Sequence, residues 1–249
     1  MRLGMLLAGL VVLTGCATST PPGGRLFASN YQYSPLTPPA APRPIPSGSE
    51  SEEPSPADDP PASLSGSRDD VLAAARKLVG SKQVRVDGKT WPSDCTGFVE
   101  AVYGKAGVSF RGAAKAGDNG VTAFYRYAQA QGRVFTKGKP RPGDLVFFRE
   151  TYDRNKDGRR NDGLTHVGLV DEVARDGTVV VIHRVSRGVV RYRMNLARPS
   201  VRKDPRTGVV LNDMLRVPKG KKMPVLTGQL FAAYGSVLPE PGADAVARR

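Results

Sequence analysis

Apolar positions along the chain fall into three regimes. Residues 3–13 are an almost unbroken apolar run, residues 17–67 show no apolar period at all, and from about Arg68 onward the chain alternates in ways that predict regular structure. Val71, Leu72, Ala75, Leu78 and Val79 share one face of a helix that Asp69 or Asp70 can cap. Phe98, Val99, Val102 and Ala106 repeat the spacing from Cys95 onward, with Gly107 as a stop, and residues 121–131 fit a third helix. The period then shortens. Residues 144–149, 166–173, 178–185 and 189–194 are rich in Val and Phe and separated by Gly and Asp, the pattern of short strands. Residues 197–224 read as a basic loop and 225–237 as a closing strand or helix. Helices followed by strands predict an α+β domain, N-terminal helices packed on a central antiparallel β-sheet.

The two non-periodic regimes set the domain plan. Arg2 and the run after it are too short for a permanent membrane span and read as a signal peptide over 1–15. Leu13-Thr14-Gly15-Cys16 follows and resembles a bacterial lipobox, which makes Cys16 the expected site of lipid attachment; an ordinary secretory signal with a coincidental cysteine is the plainer reading. Residues 16–67, with runs such as Thr37-Pro38-Pro39-Ala40-Ala41-Pro42, cannot bury enough apolar surface to offset their ordering entropy and read as a disordered tether. The folded domain is expected over 68–239 and a disordered tail over 240–249. The expected location is the cell envelope, anchored by lipid in the outer membrane and facing the periplasm, since Ala17 is not the aspartate associated with inner-membrane retention.

Charge changes the picture of partners. The net charge is +14, yet 17–67 carries two arginines against five acids, so the basic excess lies in the folded domain. A basic exported domain favours an anionic partner such as cell-wall polymer. Nucleic acid is not expected, because export and the lack of an aromatic-basic motif speak against it.

Two cysteines and two histidines then narrow the chemistry. With Cys16 assigned to lipid, Cys95 is a lone thiol in an oxidising compartment, where structural cysteines pair. It is either a small apolar core residue or a nucleophile. With Asp94 as N-cap, Cys95 takes the first helical position, where free N–H groups and the helix dipole favour a thiolate and can hold an oxyanion; Thr96-Gly97 leave that surface uncrowded. His166 opens one strand. His183 shares a face with Val179, Val181 and Val185 of the next, and adjacent antiparallel strands bring the two rings together as base and orienter, while Gly168 admits a close neighbour.

Asp94-Cys95-Thr96-Gly97-Phe98-Val99, Arg141-Pro142-Gly143-Asp144-Leu145-Val146-Phe147-Phe148, His166-Val167-Gly168-Leu169 and Ile182-His183 together resemble the successive motifs of NlpC/P60 cell-wall peptidases. The resemblance implies a papain-like fold that hydrolyses amide bonds of peptidoglycan stem peptides, of the γ-D-glutamyl-diamino acid type. Cys95 is then the nucleophile, His166 the base, His183 the orienting residue, and Asp94 and Thr96 support the nucleophile and oxyanion. No metal or other cofactor is required, and a monomer is expected. Residues 82–92 depart from the family's Tyr-containing stretch, with Trp91 as the aromatic nearest to it. A CHAP-like amidase, a non-catalytic wall-binding lipoprotein of the same fold, and an acyltransferase acting on lipid are the competing readings.

One further motif stands apart. Asp153, Asn155 and Asp157, then Gly158 and Asp162, place oxygen donors at calcium-loop spacing, a candidate structural calcium site, although Leu164 stands where such loops carry their last acid and four basic residues lie within it. A solvated turn is the alternative.

Overall fold

The computed structural model describes residues 67–217 and 224–239. The signal peptide, Cys16, nearly all of the tether and the tail lie outside the described residues. Among those described, no helix is long and apolar enough to cross a membrane.

The domain opens with α1 (Arg68–Leu78). Its cap is Ser67 rather than either aspartate: the Ser67 hydroxyl accepts from the Asp70 N–H while the Asp70 carboxylate returns to the Ser67 N–H, a reciprocal capping box. Val71, Leu72, Ala75 and Leu78 are buried, and Val79 forms the C-cap instead of extending the stripe. A hairpin of β1 (Val84–Val86) and β2 (Lys89–Trp91) follows. Asp87 and Gly88 both hold positive φ, 50° and 75°, as its two-residue turn requires. α2 (Cys95–Tyr103) then runs into a 3₁₀ turn (Gly104–Ala106) that ends on left-handed Gly107, and α3 (Gly120–Gln131) is capped by Asn119.

Six antiparallel strands make the sheet: β3 (Arg133–Phe135), β4 (Leu145–Arg149), β5 (Leu164–Val173), β6 (Val179–Val185), β7 (Gly188–Met194) and, after the short helix α4 (Thr227–Leu230), β8 (Phe231–Ser236). The order is β3-β8-β4-β5-β6-β7, so the last segment inserts between β3 and β4. Val71, Phe98, Val99 and Phe124 from the helices meet Leu145, Phe147, Val167, Leu169 and Ile182 on one face. On the other, Val146, Phe148, Val170, Val181 and Met194 pack with Leu230 and Tyr234, and with Leu196 and Leu215 from the connecting loops. A sheet covered on both sides buries consecutive residues, which is why 145–148 is a continuous apolar run.

Two fully or nearly fully buried aspartates tie helix to sheet. Asp171 on β5 accepts from Arg76 of α1 and Arg191 of β7, each at 2.6 Å, and Asp144 accepts from Arg68 at 3.0 Å. Removing one partner would strand a buried charge, so these pairs fix how α1 sits against the strands.

Candidate active site

Asp94 is the N-cap of α2. Its Oδ1 accepts from the Gly97 N–H at 2.8 Å and from the Thr96 hydroxyl at 2.7 Å, and Cys95 is the first helical residue. Thr96 is buried, its hydroxyl turned to Asp94. The helix start is more crowded than the sequence implies: a Cβ at Gly97 would stand 2.1 Å from the Pro92 carbonyl oxygen, so only glycine lets the chain enter the helix here.

β5 and β6 carry the two histidines side by side. His166 lies opposite Phe148 of β4, just past a register shift at the β4–β5 bulge. His183 is fully buried, opposite Val190 of β7. His166 Nε2 and His183 Nδ1 are 2.8 Å apart, a hydrogen bond whose single proton belongs to one ring or the other. Gly168 makes this approach possible, because a Cβ there would meet Val181 Cγ1 at 2.7 Å and His183 Cβ at 3.0 Å. His183 Nε2 is buried with no hydrogen-bond partner, and the Tyr192 ring lies edge-to-face with the imidazole at 4.4 Å.

The Val167 backbone, next to His166 on β5, lies against the thiol. The N–H groups of Val167 and Thr96 reach the Cys95 sulfur, and the Asp94 carboxylate acts on both Cys95 and His166. Among the described residues no hydrogen bond joins the sulfur to either ring; catalytic pairs commonly tighten only when substrate arrives.

Burial works against the thiolate that the helix N-terminus favours. Burial pushes the Cys95 thiol up to about 12, and the Asp94 carboxylate adds to the rise; the N–H groups of Val167, Thr96 and Cys95 itself pull the other way without prevailing. Burial lowers His166 to about 4 against the opposing pull of Asp94. His183 is held well below the ordinary range by burial, then by His166 and Arg187. These shifts all favour the uncharged forms of the thiol and the two imidazoles.

Tyr152, one of the few exposed large aromatic or apolar side chains among the described residues, is a residue that sequence reasoning missed. Its hydroxyl is pushed up by local burial and by the nearby Cys95, with Asp162 and Asp94 acting in the same sense and Arg154 against them. The sequence signal was faint, an aromatic at the edge of the Asp153 loop. Trp91, half-buried on β2, packs into the helix-side core with the Lys89 ammonium 3.8 Å from its ring centre. The candidate cation loop, with Asp153, Asn155, Asp157 and Asp162, connects β4 to β5 just ahead of His166.

Comparison with known proteins agrees with this setting. Residues 84–184 match the CHAP domain, a cysteine- and amidase-type cell-wall hydrolase domain, over less than half of the chain. The match runs from the first residue of β1 almost to the end of β6 and holds Cys95, His166 and His183. No curated protein matches the chain.

Proposed function

We propose that the protein is a cysteine-dependent peptidoglycan hydrolase that cuts an amide bond in the cell wall, in the manner of a CHAP or NlpC/P60 enzyme. The observation that carries this reading is the 2.8 Å contact between His166 Nε2 and His183 Nδ1 on strands that reach the helix N-terminus bearing Cys95. The match of residues 84–184 to a cell-wall hydrolase domain supports the substrate class.

The roles follow from the protons. If His166 donates through Nε2 to His183 Nδ1, its Nδ1 keeps a free lone pair, and His166 is a base toward the Cys95 thiol. His183 in that tautomer carries its own proton on the buried Nε2. Attack of sulfur on the amide carbonyl forms a C–S bond while the thiol proton passes to His166. His166 then gives that proton to the leaving amine as the C–N bond breaks, and water hydrolyses the thioester. Free N–H groups at the start of α2 are the natural stabilisers of the oxyanion.

Within this class, cleavage of a γ-D-glutamyl-diamino acid bond is the proposed specificity. Lipid attachment through Cys16 in the outer membrane, and action as a monomer, complete the proposal. Digestion of purified sacculi tests it: wild type releases muropeptides whose new termini, read by mass spectrometry, name the bond, and Cys95→Ala releases none. A stem peptide left intact while glycan and peptide separate would point to an amidase instead.

A thiol pushed up to about 12 also fits a second reading, a domain that binds the wall without cutting it. Cys95 that resists iodoacetamide in the folded protein, with no fragment release, would favour that reading.

A further inference from the structure

The β4–β5 connection takes no part in the proposed hydrolysis, yet it holds an arrangement of charge that calls for a ligand. Three carboxylates each use one oxygen to hold a backbone N–H of the connection. Asp153 Oδ2 accepts from Gly158 at 3.0 Å, Asp162 Oδ1 from Asn155 at 3.1 Å, and Glu150 Oε1 from Gly163 at 2.9 Å. The second oxygen of each, Asp153 Oδ1, Asp162 Oδ2 and Glu150 Oε2, is buried with no hydrogen-bond partner. Glu150 and Asp162 are only 7% and 8% exposed. Buried Arg216 turns its guanidinium to the Glu150 carbonyl, at 2.5 Å. Folded proteins do not leave anionic oxygens buried and unpaired; a proton, a water or a cation compensates them.

We propose that this loop binds one calcium ion, with Asp153 Oδ1 and Asp162 Oδ2 as its anionic ligands and oxygens of Asn155, Asp157 and the loop backbone completing the shell. Among the described residues no three His, Cys, Asp or Glu side chains already converge as a metal cage. A calcium loop does not need them to, because amide and backbone carbonyls and water supply much of a six- to eight-oxygen shell. Asp157 Oδ2 now accepts from the side-chain amides of Asn155 and Asn161, at 3.1 and 2.8 Å, and binding turns these amides aside. The donor set is all oxygen, which suits calcium rather than a softer metal. Glu150, held to the N–H of Gly163, the residue after Asp162, adds a further buried negative charge at the end of the loop without joining the shell. Arg154, Lys156, Arg159 and Arg160 are exposed around the site and lower its affinity, so a dissociation constant of about 10⁻⁴ to 10⁻³ M is expected.

The ion would order more than its own loop. Tyr152 stands beside Cys95, and the Thr151 N–H donates to the Thr165 hydroxyl at 2.8 Å, one residue before His166. This consequence rests on the proposed hydrolysis; the binding does not.

Isothermal titration of the full-length Cys95→Ala protein with CaCl2 tests binding apart from turnover. One calcium per chain is expected, with a Tm rise of about 3–6 °C at roughly 5 mM CaCl2 and a much smaller response to MgCl2. The double variant Asp153→Asn/Asp162→Asn should lose both responses. Should that variant fail to fold, Asp157→Ala, at an exposed side chain whose loss removes only loop hydrogen bonds, should keep its calcium-free fold by circular dichroism and bind at least about tenfold more weakly. No binding heat and no Tm shift in the wild-type loop would overturn the proposal, as would undiminished binding in the variants or an equal response to magnesium. Calcium binding without muropeptide release by the wild type would leave the site standing and remove the hydrolase.

Discussion

At the scale of single residues, the proposed mechanism leans most on His183, the least visible of its three side chains. It is fully buried and its Nδ1 meets His166 Nε2; in the proposed mechanism it is the partner that orients the base. Substituting His183→Ala should lower kcat on soluble wall fragments by roughly 10²-fold or more with KM little changed, because the loss concerns proton transfer rather than binding. The pH dependence carries its own signature. In the proposed mechanism His166 must be neutral to accept the thiol proton, and burial lowers it to about 4, so activity should persist through mild acid and fall only as pH drops through about 4, not near 6.5. Stability changes over the same window with a defined sign. Above about 6.5 both histidines are neutral whether folded or unfolded, and as pH falls toward 4 the unfolded chain takes up protons that the buried rings refuse. The folded state should therefore lose stability across that interval, read as a falling Tm between pH 7 and pH 4.5. A Tm flat across it would contradict neutral, buried rings.

At the scale of elements, two glycines set the geometry. Gly97 lets α2 begin against Pro92, and Gly168 lets β6 close on β5. Gly168→Ala should force the strands apart, costing about 1–3 kcal/mol of stability by chemical denaturation and a larger share of activity, since the displacement falls on the His166–His183 contact. A fully active Gly168→Ala enzyme would show that this spacing is not critical. Both the cap at Asp94 and the close approach at Gly168 were legible in the sequence, because a cap and a missing side chain are local signals. The strands 145–149, 179–185 and 188–194 were equally plain, as runs rich in Val and Phe between turn residues. The β1–β2 hairpin was not read, although Asp87-Gly88 between Val-Arg-Val and Lys-Thr-Trp is a hairpin signal; three-residue strands are too short to show a period. β8 escaped clear assignment for a tertiary reason. Its Gly235 lies where a Cβ would meet Ala128 of α3 at 3.1 Å and Phe147 at 2.9 Å, so packing selects small residues over the usual strand formers. The helix-end N–H groups that favour a thiolate are visible in sequence, whereas the burial that opposes them is not.

At the scale of the whole molecule, helices and sheet are joined through buried charge as well as apolar packing. Asp171→Asn would leave Arg76 and Arg191 facing a neutral amide, and a loss of about 2–4 kcal/mol is expected in denaturant titration. The chain's basic excess belongs to the same scale: attraction to an anionic wall should weaken as salt shortens the reach of exposed charges, so sacculus binding should fall between about 0.05 and 0.5 M NaCl. Residues 84–184 match a cell-wall hydrolase domain, and the chemistry proposed for it depends on one sulfur and two imidazoles. Muropeptide release from purified sacculi by wild type and by Cys95→Ala, measured alongside sacculus binding, tests that dependence most directly. Release by the wild type, with binding but no release by Cys95→Ala, is expected; equal release by both would contradict a thiol mechanism.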